Sequence, residues 1–287
     1  MPCYSPQSAF RTSGGGVTFI RSRSLSGEAF KLPCGQCIGC RLERSRQWAM
    51  RCLHERRLWR RNCFVTLTYD DARLPPGGSL VKRDFQLFMK RLRKSRRDLI
   101  RFYACGEYGE TTLRPHYHAI LFNCSFPDMT RYSVNNRDEV LYSSEELIGL
   151  WDNGHVLIGE VTFESAAYVA RYCVKKLTGG AEELYGDRLP EFGLMSRRPG
   201  IGAGYYDRYG QEVRDHDSVV VSGRPVQPPR YYDARTKLLC PEDFEVIRKA
   251  RKLRAARMAK DNTVDRRRVK EVIARKRLEM SDKFRSR

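Results

Sequence analysis

Ile100-Arg-Phe-Tyr-Ala-Cys-Gly-Glu-Tyr108, Gly109-Glu-Thr-Thr-Leu-Arg-Pro115 and His116-Tyr-His-Ala-Ile-Leu-Phe122 follow one another directly and read as strand, turn and strand. Aromatic and branched apolar residues fill the outer stretches, while Gly109 and Pro115 bracket a segment suited to a hairpin turn. Alternate side chains of a strand share a face, so His116 and His118 project together and Tyr117 points the other way, into the core. Two imidazoles so placed can hold one divalent cation. Glu107, on the preceding strand, is the residue that pairing can bring beside them as a third ligand, although an exposed charge next to a turn leaves the same signature. Nitrogen and oxygen donors of this kind suit Mg2+ or Mn2+, and imidazoles also attract Zn2+.

Outward from the hairpin, Phe64-Val-Thr-Leu-Thr-Tyr69 reads as another strand, closed by Asp70-Asp71. After the breaker Pro75-Pro-Gly-Gly78, the apolar positions Phe85, Leu87, Phe88, Met89 and Leu92 predict an amphipathic helix over 81–98 with a basic outer face. A helix over 41–61 precedes the first strand, with eight arginines and two glutamates. Downstream, a short helix near 144–151 leads to a strand over 155–163 and a helix from about 164 to 177, stopped by Gly179-Gly180. The fold class expected is α/β of the α+β kind: a small, mainly antiparallel sheet carrying the histidines, with helices packed on one side. The chain divides on this reading into a cysteine-containing basic segment (1–60), the core (61–180), a turn-rich extension (181–240) and a basic helical tail (241–287). The tail holds 17 Lys or Arg against 8 Asp or Glu, which fits a DNA-gripping arm or a solvated helical face equally.

The 287 residues carry a formal net charge of +20, a surplus that points to a polyanion, because each cation near a phosphate releases a condensed counterion. No apolar run is long enough to span a membrane, and the opening Met1-Pro2-Cys3-Tyr4 lacks the pattern of a secretion signal. The ten cysteines are not packed into a short, disulfide-dense chain, so reduced thiols in a cytoplasmic setting are expected.

Tyr168-Val-Ala-Arg-Tyr172 spaces two phenols by about one helical turn, which sets both hydroxyls on one face. Core aromatics have the same spacing, but here Lys175 and Lys176 extend that face with positive charge, as phosphate chemistry requires. A phenol with a pKa near about 10 is a weak nucleophile until cations favour the phenolate. The segment Cys34-Gly-Gln-Cys37-Ile-Gly-Cys40 has ligand-like spacing for a structural Zn2+ that needs a fourth donor; Cys3, Cys52 and His54 are the candidates.

Taken in order, Phe64-Val-Thr-Leu-Thr-Tyr69, Pro115-His116-Tyr117-His118 and Tyr168-x-x-x-Tyr172 resemble the three motifs of the His-hydrophobic-His (HUH) rolling-circle endonucleases. The opening Met-Pro-Cys-Tyr-Ser-Pro and the segment Cys34 to Arg41 extend the resemblance to the replication initiation proteins of small single-stranded DNA phages, the microviruses of gokushovirus type. The resemblance covers roughly residues 1–180. It implies His116 and His118 as metal ligands, Tyr168 and Tyr172 as nucleophiles, and a metal-dependent nick that leaves a covalent 5′-phosphotyrosine and a free 3′-hydroxyl. Lys175 and Lys176 would then contact DNA. The partner implied is single-stranded DNA at a replication origin, in the cytoplasm of a bacterial host. No Gly-x-x-x-x-Gly-Lys-Ser/Thr loop is present, so unwinding is expected from a host helicase and extension from a host polymerase. The contrasting expectation is a non-catalytic basic nucleic-acid-binding protein with a zinc-stabilised N-terminus.

Overall fold

The computed structural model describes residues 3–109, 112–135, 138–175, 185–221 and 223–283, without the side chains of 171–175 and 281–283. Two compact units are present, Met1–Arg44 with Ala250–Arg287, and Ser45–Lys249. The smaller contains strands β1 (Gln7–Arg11), β2 (Val17–Thr18) and β3 (Ala29–Leu32) in the antiparallel order β2-β1-β3. None of these short strands is legible as an apolar run. Helix α1 (Ile38–Arg56) starts and stops earlier than its arginine-rich sequence suggested. Its end is set by a turn in which the Asn62 amide donates to the carbonyls of Trp59 (2.8 Å) and Arg56 (3.3 Å).

In the larger unit the hairpin is present as β5 (Arg101–Tyr108) and β6 (Pro115–Phe122). Strand β4 (Asn62–Tyr69) pairs with the far side of β6, and β9 (Gly154–Gly159) with β4. A second hairpin, β7 (Thr130–Val134) and β8 (Val140–Ser143), extends the sheet beyond β9. Strand β10 (Phe192–Met195) closes the opposite edge against β5, giving the order β10-β5-β6-β4-β9-β8-β7 with every described pairing antiparallel.

Both faces of this sheet are covered, not one. On the first face, α2 (Lys82–Ser95) buries Phe85, Phe88, Met89 and Leu92, and α3 (Glu145–Trp151) buries Leu147 and Trp151, against Val65, Leu67, Tyr117 and Leu121. On the second, α1 and α4 (Phe163–Lys175) set Ala49, Cys52, Ala166, Val169 and Ala170 against Tyr103, Cys105, Ile120 and Phe122. The cause lies in β5 and β6, which carry apolar side chains at odd and even positions alike; a strand of that kind must be covered twice. The Trp151 indole donates to the Thr68 carbonyl at 3.1 Å, so its one polar atom is satisfied in the core.

Helix starts follow local chemistry. Ser144 caps α3, accepting from the Leu147 N–H at 3.1 Å. Before α4, the Thr162 hydroxyl accepts from the Ser165 N–H (3.1 Å) and the Ser165 hydroxyl accepts from the Thr162 N–H (2.8 Å), a reciprocal cap. Residues 185–240, turn-rich by composition, hold β10, α5 (Ala203–His216), the small hairpin β11 (Val219–Val221) and β12 (Arg224–Val226), and α6 (Arg230–Leu239). Tyr205, Tyr206, Val213 and Tyr232 from this stretch build a separate core with Met50 of α1. The tail is helical as read, as α7 (Pro241–Arg257) and α8 (Val264–Lys283). Among the described residues no helix is long and apolar enough to cross a membrane.

Candidate functional site

Hairpin register assembles the site. Glu107 pairs across the ladder with His116, and Cys105 with His118; on the other side of β6, His118 pairs with Thr66 of β4. Glu107, His116, His118 and Thr66 therefore rise from the face that α4 covers, while Tyr117 faces the α2 side, buried and hydrogen-bonded to Tyr69 (2.8 Å). Gly106 is tightly enclosed: a Cβ would lie 2.9 Å from the Phe192 ring of β10 and 3.1 Å from Leu80, so those side chains would have to shift. The absence of a Cβ lets β10 close over β5 directly behind Glu107.

The three polar groups converge on a single oxygen. Glu107 Oε1 lies 2.9 Å from His116 Nε2 and 2.9 Å from His118 Nε2. The other rings' nitrogens are tied back, His116 Nδ1 donating to the Arg114 carbonyl (3.0 Å) and His118 Nδ1 meeting the Thr66 hydroxyl (2.9 Å). With Nδ1 of His116 committed as a donor, a neutral ring turns its Nε2 lone pair toward a carboxylate, which is repulsive unless a proton or a cation stands between them. Burial lowers the His116 pKa, but the Glu107 hydrogen bond and charge outweigh it, and the value is raised. Burial likewise pushes Glu107 up, yet the bonds to His116 and His118 hold it at about 2. His118 is lowered, because burial exceeds the help it receives from Glu107. Thr66 can donate or accept, so His118 is free to present either a proton or a lone pair at Nε2.

Glu107 is 1% exposed, and among the described residues its second oxygen, Oε2, is buried without a hydrogen-bond partner. Two imidazoles beside a carboxylate whose second oxygen is unsatisfied fit a divalent cation, with His116, His118 and Glu107 as the residues able to hold it. Thr66 was read only as part of a strand. Its signal was present in the sequence, as a small polar residue on the face opposite Val65, Leu67 and Tyr69. Groups that orient ligating imidazoles matter to affinity, so Thr66→Val should weaken divalent-metal binding by roughly 10- to 100-fold with little change in fold, as read by calorimetric titration.

Above this centre, Ala166 and Ala170 let α4 sit close to the sheet, and Tyr168 reaches down from the same helix. Its hydroxyl donates to Glu107 Oε1 at 3.1 Å, and its ring stands edge-on to His118 with centroids 5.1 Å apart. Tyr172 lies one turn further along α4; its side chain and that of Lys175 fall outside the described atoms, and Lys176 falls outside the described residues. A second cluster, Cys3, Cys34, Cys37 and Cys40, forms in the smaller unit. The two other candidates for its fourth member are engaged elsewhere: Cys52 is buried against the sheet, and His54 hydrogen-bonds Tyr232 (2.7 Å) and stacks on Tyr205.

A family model described as replication-associated protein ORF2/G2P matches residues 62–177, the stretch that carries β4 to β9 of this sheet and the tyrosine-bearing helix above it. The chain belongs to the family of replication-associated proteins of small phages. It is 35% identical over 281 residues to the replication-associated protein VP4 of Bdellovibrio phage phiMH2K, covering 92% of this chain and 88% of that one. Identity to the replication-associated protein ORF2 of Spiroplasma virus 4 is 34%, across 74% of this chain and 70% of the relative. For the replication-associated protein ORF4 of Chlamydia phage 1 it is 31%, across 76% and 56%. No solved structure gives a significant match.

Proposed function

We propose that this protein initiates rolling-circle replication by nicking single-stranded DNA at an origin, with Tyr168 as a nucleophile and Mg2+ or Mn2+ held by Glu107, His116 and His118. The observation that carries the reading is that the Tyr168 hydroxyl meets the same carboxylate oxygen as both imidazoles. When bound there, a divalent cation supplies Lewis-acid polarisation of the scissile phosphate and offsets the charge that builds on it.

The residues divide the work. Attack of the Tyr168 oxygen on phosphorus forms the P–O bond to the enzyme and breaks the bond to O3′, which leaves with the electron pair and takes a proton from solvent to become the 3′-hydroxyl. Glu107 orients the phenol and does not deprotonate it: a carboxylate held at about 2 is far too weak a base for a group with a pKa near about 10. The phenol proton passes to solvent as the new bond forms. Thr66 and the Arg114 carbonyl keep both rings aimed at one point, which removes reorganisation from the reaction. Tyr172, one helical turn from Tyr168, is the second nucleophile in this scheme and allows the regenerated origin to be cut while the first end is still held. Lys175 and Lys176 contribute phosphate contacts, and host helicase and polymerase supply unwinding and extension.

The test is to mix the purified protein with single-stranded circular phage-type DNA and Mn2+ or Mg2+, then resolve covalent adducts on a denaturing gel. An adduct is expected that requires metal, persists on one tyrosine in Tyr168→Phe, and disappears in the Tyr168→Phe, Tyr172→Phe double variant. Salt-sensitive DNA binding without any adduct, on DNA carrying a plausible origin, overturns nicking in favour of a non-catalytic binding protein.

A further inference from the structure

We propose that Cys3, Cys34, Cys37 and Cys40 bind one structural zinc ion that fastens the start of the chain to the start of α1. The two ends of the cluster are brought together by the small sheet. Gln7 of β1 pairs with Leu32 of β3, so the residues before β1 run beside those after β3, and Cys3 arrives next to Cys34. Gly35 then turns the chain with φ of +77°, a conformation that favours glycine, and Cys37 swings back over Cys34. Cys40 follows three residues later on the first turn of α1.

The sulfur spacing suits a tetrahedral site. A Zn–S bond of about 2.3 Å places tetrahedral sulfurs about 3.8 Å apart. Here Cys3 Sγ lies 3.7 Å from Cys34 Sγ and 4.0 Å from Cys37 Sγ, and all four sulfurs fall within 4.8 Å of one another. Backbone amides complete the nest: the N–H groups of Cys34, Cys37 and Tyr4 point at the sulfurs of Cys3 (3.2 Å), Cys34 (3.3 Å) and Cys37 (3.3 Å). Donors aimed at sulfur stabilise the thiolates that a cation needs.

The described residues of this unit also form very little apolar core. Among its described residues the buried apolar side chains are Cys3, Ala9, Phe10 and Cys40, and two of those are members of the cluster. A segment with so little core holds one conformation only if something else ties it, and a tetrathiolate metal does this in small domains.

The experiment uses the full chain purified in a phosphine reductant without added metal, carrying His118→Ala so that the cluster is read separately from the proposed nicking centre. One zinc per chain is expected, released when four thiols are modified by an organomercurial. Cobalt exchanged into the same protein should give the intense visible absorption of a tetrahedral thiolate site. Cys37→Ser and Cys40→Ser should each lose the zinc, and Cys240→Ser should retain it. Stripping the ion should speed hydrogen exchange across residues 3–40 and leave the strands at 62–69, 101–108 and 115–122 protected. Absence of zinc together with four freely titrating thiols, or a disulfide within the cluster by mass spectrometry, overturns the site. If the serine variants do not fold, the cobalt spectrum of the cysteine-intact chain still decides between these outcomes.

Discussion

Glu107→Gln is expected to lower metal-dependent nicking by roughly 100- to 1,000-fold, the range seen when one preorganised electrostatic group is removed from an active site. The substitution keeps volume and hydrogen-bonding capacity but removes the charge on which His116, His118 and Tyr168 converge. Three consequences follow from that one oxygen: a weaker cation site, a phenol no longer oriented by a carboxylate, and a His116 that loses the partner raising its pKa. His118→Ala should act in the same direction through loss of a ligand. The measurement is adduct yield per unit time across a Mn2+ titration, with metal-free binding of single-stranded DNA as the control for folding. Nicking at the unsubstituted rate would show that the carboxylate takes no part in the chemistry.

The largest stability effect should come from a site outside the chemistry. Glu55 and Arg101 form an ion pair at 2.6 Å whose side chains are 2% and 6% exposed. Glu55 also accepts from the Gly202 N–H (2.7 Å) and the Trp59 indole (3.2 Å), and Arg101 donates to the Pro199 carbonyl (2.9 Å). The pair thus joins the end of α1, the start of β5 and the loop entering α5. Glu55→Ala leaves a buried guanidinium and a buried amide without their acceptor, which should cost about 3–5 kcal/mol. For a unit of this size that corresponds to a fall in Tm of roughly 6–20 °C. Replacing both partners, Glu55→Leu with Arg101→Met, should lie closer to the parent than Glu55→Ala, because no buried charge is then left alone. Urea unfolding of the three proteins reads this directly, and a loss below about 1 kcal/mol for Glu55→Ala would mean that water reaches the pair.

Local pattern was enough for much of the candidate site. Periodicity two in His116-Tyr117-His118 places the imidazoles together and the phenol in the core, and periodicity near four places Tyr168 and Tyr172 one turn apart on α4. Those are properties of one element, so they are readable from spacing alone. Hairpin, helix α2 and the helical tail were legible for the same reason.

What depends on distant parts of the chain was decided by packing. The register, not the spacing, puts Glu107 opposite His116, and nothing in the spacing says that Tyr168, 61 residues away, donates to its Oε1. Cys3 was one of three candidates for a fourth donor; pairing of β1 with β3 brings it beside Cys34, 31 residues away, while Cys52 and His54 went to the core. The second covered face, strand β10 and the buried Glu55–Arg101 pair have the same origin. Each rests on which surfaces meet once strands pair in register and helices bury their apolar stripes. Local periodicity orients side chains within an element, and only closure of the whole sheet brings oriented side chains from different elements within 3 Å.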